Sequence, residues 1–217
     1  PFLPNARDKF FKSNKSNLDA ILKINEKEIL EIRDFYFDQV KSFYNIKDKI
    51  IIDKIPLTIT ELGFVKLIFP ESKIILALRH PYDVVTSCFF TSFKQNKAMI
   101  NFLDWNETIS FYDSVFDLFE FYEDQIELDL IKIKYEDIVS NFNLEINKLL
   151  IFLKLNYEKN LPNFYKTAKD RKKISTPSYN QVVNPLYNSS INRWKNYKNL
   201  INFENKLSKW VKKFNYD

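Results

Sequence analysis

The 217-residue chain is 45% hydrophobic and 17% aromatic, enough for one sizeable core, and its 33 basic and 28 acidic residues leave a formal charge of +5, which suits an anionic ligand without requiring nucleic acid. One cysteine, Cys88, and one histidine, His80, exclude an internal disulfide and any cysteine-cluster metal site and remove most zinc and imidazole-base schemes. A single glycine, Gly63, excludes a Gly-rich phosphate cradle and a dinucleotide fingerprint within these residues, so a phosphate site here must use side chains and helix ends.

Residues 1–14 mix Pro1, Pro4, Asn5 and Asn14 with scattered charges and show no clear period; the poorly patterned N-terminal segment extends to about residue 27. The start at Pro1 rather than Met leads to the expectation that the natural N-terminus lies upstream. Apolar positions from Leu18 to Phe43 predict helices over 16–23 and 26–44. Ile50 to Ile52 predicts a short buried strand ending in Asp53-Lys54, and Thr58 or Thr60 can cap a helix that runs through Phe69 and stops at Pro70. The continuous apolar run Ile74 to Leu78 predicts a strand over 73–78, buried on both faces of a parallel sheet. A right-handed crossover between these two strands would place Asp53-Lys54 and Arg79 along one edge, where ligands of such sheets gather.

Pro81 suits the first turn of a helix over 82–96, Asp83 suits that turn's positive dipole, and Ser87 follows about one turn later. Arg79 and Ser87 could therefore close on one anion, a forked guanidinium with a hydroxyl beside it, or could form a surface salt bridge and an ordinary helix serine. His80 reads as a turn residue beside Pro81, without a chemical role. A helix over 104–125, capped by Asp104, carries Phe111, Val115, Phe119 and Tyr122 at core spacing. Leu128 to Ile133 predicts a third strand, followed by Lys134-Tyr135-Glu136-Asp137, whose acids suit the start of a helix over 137–154. Tyr135 could meet a ligand base or be a buried structural tyrosine, and Lys54 could stabilise charge on a transferred group or be a solvated lysine. A polar segment over 168–187 precedes helices near 189–199 and 202–214. The longest apolar runs, such as Leu149 to Leu153, are too short to span a bilayer, and no signal-peptide pattern opens the chain, so a soluble, cytoplasmic protein without a membrane span is expected.

Taken in order, Asp53-Lys54-x-Pro56, Phe69-Pro70-Glu71-x-Lys73-Ile-Ile, Arg79-x-Pro81-x-Asp83-x-x-x-Ser87, Tyr135-Glu-Asp, Pro177-Ser178-Tyr-x-Gln-Val and Arg193-Trp194 resemble the sulfotransferases, most of all the bacterial ones that are often fused to tetratricopeptide repeats and related to tyrosylprotein sulfotransferases. The resemblance covers roughly residues 28–200. It implies an α/β, P-loop-NTPase-like three-layer fold with a short parallel sheet flanked by helices. It also implies transfer of a sulfuryl group from 3'-phosphoadenosine 5'-phosphosulfate to a hydroxyl of a glycan, a small alcohol or a protein tyrosine, with no metal. By similarity Arg79 and Ser87 hold the 3'-phosphate, Tyr135 lies near the adenosine, Ser178 and Arg193 are late cofactor contacts, residues 170–187 cover the cofactor, and Lys54 stabilises the transferring sulfuryl oxygens.

Sulfotransferases carry, ahead of these motifs, a strand and a Pro-x-Ser-Gly-Thr loop that holds the 5'-phosphosulfate; no such loop occurs in residues 1–217. The expectation is a single, partial sulfotransferase domain over 1–217 that lacks its first strand and that loop, has no general base of its own, and stands next to an upstream tetratricopeptide region. Thr58 replaces a usual asparagine of bacterial relatives, and Thr91 stands where tyrosylprotein relatives have another phosphate-binding arginine, with Lys94 about one turn later. An inactive nucleotide-binding or interaction remnant of the same fold is the alternative. Aromatics at core periods rather than along a basic stripe argue against nucleic-acid binding.

Overall fold

The computed structural model describes residues 2–13, 23–170, 183–199 and 206–216. The chain divides into two compact units, Pro1–Ser72 with Leu118–Asp129, and Lys73–Asp117 with Leu130–Asp217.

In the first unit, helix α1 (Phe2–Ser13) packs against helix α2 (Glu26–Phe43). Leu3, Ala6 and Phe10 of α1 and Ile32, Tyr36 and Val40 of α2 are buried, so each helix presents one apolar stripe at helical spacing. The α1 stripe lies in the stretch whose prolines and asparagines suggested no pattern. Pro4 sits in the first turn of α1, where a missing N–H removes no intrahelical bond, so it does not oppose the helix. Asn25 and Glu28 form a reciprocal capping box at the start of α2. The helix expected over 16–23 falls almost wholly outside the described residues.

A 3-10 turn (Pro56–Glu61) leads into helix α3 (Leu62–Ile68), whose last carbonyl, at Ile68, accepts a hydrogen bond from Arg33 Nε. Gly63 lies on α3 against Tyr122: a Cβ there would stand 3.1 Å from the tyrosine ring, and the Tyr122 hydroxyl donates to the Thr60 carbonyl at 3.1 Å. The lone glycine thus serves close packing rather than a turn.

The expected strand at Ile50 to Ile52 does not form. Residues 49–55 have no regular secondary structure, and Ile50 and Ile52 are 64% and 74% exposed. An apolar run becomes a strand only where another backbone completes its ladder, and among the described residues the sheet has two strands, β1 (Lys73–Leu78) and β2 (Asp129–Lys134), lying parallel. The crossover is therefore between β1 and β2 rather than between 50–52 and β1, and Lys54 does not follow a strand.

Helices α4 (Pro81–Phe90) and α5 (Trp105–Gln125) lie between the paired strands in sequence. The α/β class with a short parallel sheet and flanking helices agrees with expectation. β1 is not buried on both faces: Leu76 and Leu78 are buried, while Ile75 is 38% exposed and Ala77 is exposed as well. Helix α4 ends at Phe90, well short of residue 96, where Thr91 takes an extended backbone.

After β2 the expected single helix is two, α6 (Tyr135–Ser140) and α7 (Phe142–Leu153), divided at Asn141. Helix α8 (Phe164–Asp170) follows. The expected helix near 189–199 is reduced to a 3-10 turn (Arg193–Tyr197), and α9 (Leu207–Lys213) lies within the last expected helix. α9 buries Leu207, Trp210 and Val211, and Trp210 Nε1 donates to Asp113 at 2.9 Å. Four described non-glycine residues have positive φ: Asp48, Lys154, Asn192 and Asn215.

Candidate functional site

Parallel pairing brings the carboxyl ends of β1 and β2 to one edge, so the residue after each strand, Arg79 and Tyr135, emerges there. The Arg79 guanidinium lies over the Tyr135 ring, 5.6 Å from its centroid, a cation–π arrangement that orients the planar fork. Arg79 Nη2 also donates to the Ser190 carbonyl and stands 3.9 Å from Asp83 Oδ2. Its Nε is buried with no hydrogen-bond partner among the described residues. The Tyr135 hydroxyl donates to the Tyr187 carbonyl at 2.7 Å; burial raises its pKa, with Tyr187 adding and Arg79 opposing. Two side chains at the strand ends therefore grip the same downstream segment.

That segment forms a cavity of about 680 Å³ lined by Asn184, Pro185, Leu186, Tyr187, Ser189, Ser190 and Arg193. Arg193 is exposed on the first turn of its 3-10 helix. Arg79, Tyr135 and Arg193 are thus assembled around one stretch of chain. Ser87 is an exposed residue of α4, and its carbonyl accepts from the Thr91 hydroxyl at 2.6 Å. Lys54 belongs to the first unit, exposed in the coil before Pro56, next to Asp53, which accepts from the buried Tyr36 hydroxyl at 3.2 Å. Ser178 and most of the expected covering loop over 170–187 lie outside the described residues.

His80 is structural. It caps α4 by accepting the Tyr82 N–H on Nδ1 at 3.2 Å, and its own N–H donates to Glu136 at 2.9 Å. Its ring packs with Tyr82, Trp194 and Tyr216 at centroid distances of 5.2, 5.4 and 5.2 Å. Burial lowers its pKa despite the opposing charges of Asp83 and Glu136, which keeps the imidazole neutral. Cys88, half-buried on α4, has its thiol pushed up to about 11 by burial, with Arg79 opposing, which disfavours the thiolate.

Two acids have roles that the sequence reading did not assign. Asp83, beyond suiting the first turn of α4, accepts backbone N–H groups from Asn192 and Trp194, both at 2.8 Å. Glu136, in the first turn of α6, accepts from the His80 N–H and from the Tyr216 hydroxyl at 2.9 Å. The available signal was an acid shortly after each strand end. The side chains suit an anion: the exposed Arg193 and the hydroxyl-bearing residues Ser189 and Ser190 line the cavity, and the half-buried Arg79 guanidinium holds the carbonyl of Ser190.

A profile of the Sulfotransferase family matches residues 7–159, well over half of the chain. The chain belongs to the sulfotransferase family. Lys54, Arg79, Ser87 and Tyr135 fall inside the matched span. This sulfotransferase-family chain is similar to an uncharacterized protein of Aquifex aeolicus (strain VF5), with 25% identity over 199 residues, and it spans about a quarter of that relative's length (90% of this chain, 25% of the relative). Its fold resembles the structure described as the Sulfotransferase Domain from the Curacin Biosynthetic Pathway, with a TM-score of 0.60, 17% identity, and coverage of 96% of this chain and 78% of that one. Among the described residues no helix is long and apolar enough to cross a membrane.

Proposed function

We propose that this chain is a sulfuryl-transfer domain that uses 3'-phosphoadenosine 5'-phosphosulfate as donor and a hydroxyl-bearing molecule as acceptor. The observation that carries the reading is the convergence of Arg79 and Tyr135, from the ends of two parallel strands, on the cavity segment that bears Arg193. In this reading Arg79 and Ser87 hold the 3'-phosphate, Tyr135 lies beside the adenosine, and Ser178 and Arg193 complete the cofactor contacts. The bound donor supplies an activated sulfuryl group. By the family resemblance, Lys54 is the ammonium point donor that stabilises the transferring sulfuryl oxygens. Arg79 supplies a forked, permanently charged donor in a half-buried setting, where a charge-assisted hydrogen bond is stronger than in water.

Calorimetric titration with adenosine 3',5'-bisphosphate and, separately, with adenosine 5'-monophosphate tests the reading. Binding that depends on the 3'-phosphate is the expected result, and equal affinity for the two nucleotides counts against it. Incubation with the donor and a panel of hydroxyl acceptors, reading release of the bisphosphate, then tests transfer itself, and turnover overturns the reading as a binding remnant of the same fold.

A further inference from the structure

Asp83 is among the most buried charged residues of the second unit, with its side chain fully covered. An ionised carboxylate in such a place demands hydrogen-bond donors, and its donors come from far along the chain. Oδ2 accepts the N–H of Asn192 and Oδ1 accepts the N–H of Trp194, each at 2.8 Å, across separations of 109 and 111 residues. The two bonds bracket Arg193, the residue between them. Asn192 holds a left-handed backbone, φ 59° and ψ 23°, which asparagine tolerates better than most residues but which still needs support from its surroundings. Arg79, 3.9 Å from the same carboxylate, donates to the carbonyl of Ser190 two residues earlier. The turn that enters the 3-10 helix is thus tied at Ser190, Asn192 and Trp194, with Asp83 supplying the two buried acceptors.

We propose that Asp83 is a positioning residue for the donor site: its carboxylate fixes the 190–194 turn so that Arg193 is presented to the anion shared with Arg79. The proposal rests on the donor-site reading of the cavity, but its mechanical half does not need the nucleotide. Aspartate suits the role because its two oxygens accept two N–H groups at once, whereas asparagine offers one oxygen and an amide that faces one of those donors with a donor of its own.

The experiment has two arms. In the first, backbone amide exchange is followed by NMR without nucleotide. In wild-type protein the amides of Asn192 and Trp194 are expected to exchange at least about tenfold more slowly than unstructured peptide amides, and D83N is expected to remove that protection while the α7 amides keep theirs. Unprotected amides in the wild-type protein overturn the clamp, whether or not D83N folds; protection that survives in a folded D83N overturns it too. The second arm is a double-mutant cycle of D83N and R193A, titrated calorimetrically with adenosine 3',5'-bisphosphate. Each single change is expected to weaken binding about tenfold or more, the scale of a lost hydrogen bond to a charged group, and the double variant is expected to bind no worse than the weaker single variant. Fully additive losses overturn action through Arg193. Wild-type protein that fails to bind the bisphosphate overturns the donor-site reading and with it the presentation of Arg193 to that anion, while the exchange arm still decides whether Asp83 holds the turn.

Discussion

Arg79 divides its guanidinium among a carbonyl, an aromatic face and a nearby carboxylate, and keeps Nε without a partner. A phosphate arriving there meets a donor that is already oriented, so little side-chain entropy remains to be lost. R79A is therefore expected to weaken adenosine 3',5'-bisphosphate binding by about 1.5–3 kcal/mol and to leave adenosine 5'-monophosphate binding nearly unchanged, both read by calorimetry. His80 makes a different prediction. Its folded pKa lies below its ordinary value because of burial, so below about pH 6.5 the unfolded chain takes up a proton that the folded chain refuses. Stability is then lost as pH falls through that window. H80N, which keeps a helix-capping acceptor without a titratable ring, should flatten the change in urea midpoint between pH 7.5 and pH 5.5 relative to wild type; an equal change in both proteins would remove His80 as the cause. At this scale the sequence shows which residues leave the strand ends, since a strand that breaks into a helix announces its last residue. It does not show that Asp83 and Glu136 grip the backbone of Asn192 and the hydroxyl of Tyr216, because those partners lie 109 and 80 residues away and no local period connects them.

The elements that were legible are those decided by their own residues. The strand 73–78 and the long helices over 26–43 and 105–125 sit within a residue or so of their expected bounds because apolar runs, helical stripes and caps are local signals. Asn25 illustrates how much such a signal carries: N25A removes the acceptor for the Glu28 N–H and should lower unfolding free energy by about 1 kcal/mol, read as a shifted urea midpoint with an unchanged slope. Illegible elements depend on a partner. Ile50 to Ile52 has the composition of a strand but no ladder among the described residues, and the break at Asn141 divides a stretch whose apolar stripe is continuous in sequence. Helix α1 is hard to read for the opposite reason. Its prolines and asparagines draw the eye, while the buried Leu3, Ala6 and Phe10 recur at helical intervals.

Across the whole molecule, the two units divide the proposed chemistry: Arg79, Ser87, Tyr135 and Arg193 belong to the second, and Lys54 to the first. The family match over 7–159 runs through both. A formal charge of +5 gives the molecule a mild attraction for anions, while the specificity proposed above rests on a few arginines held in place. The scarcity of glycine has a separate consequence for evolvability. With one glycine in 217 residues, the chain makes its described left-handed corners from aspartate, asparagine and, after α7, Lys154, at φ 57°. Lysine is poorly suited to that corner, where the N–H groups of Lys154 and Leu155 close back on Ile151 and Leu150 at 3.1 and 2.8 Å. K154G should therefore raise unfolding free energy by about 1 kcal/mol, measured by urea denaturation, and such corners away from the cavity are reserves of stability that single substitutions could release. Asn192 is a corner of another kind: its strained backbone adjoins Arg193, so relaxing it would trade the set of a binding residue for a more pliable turn.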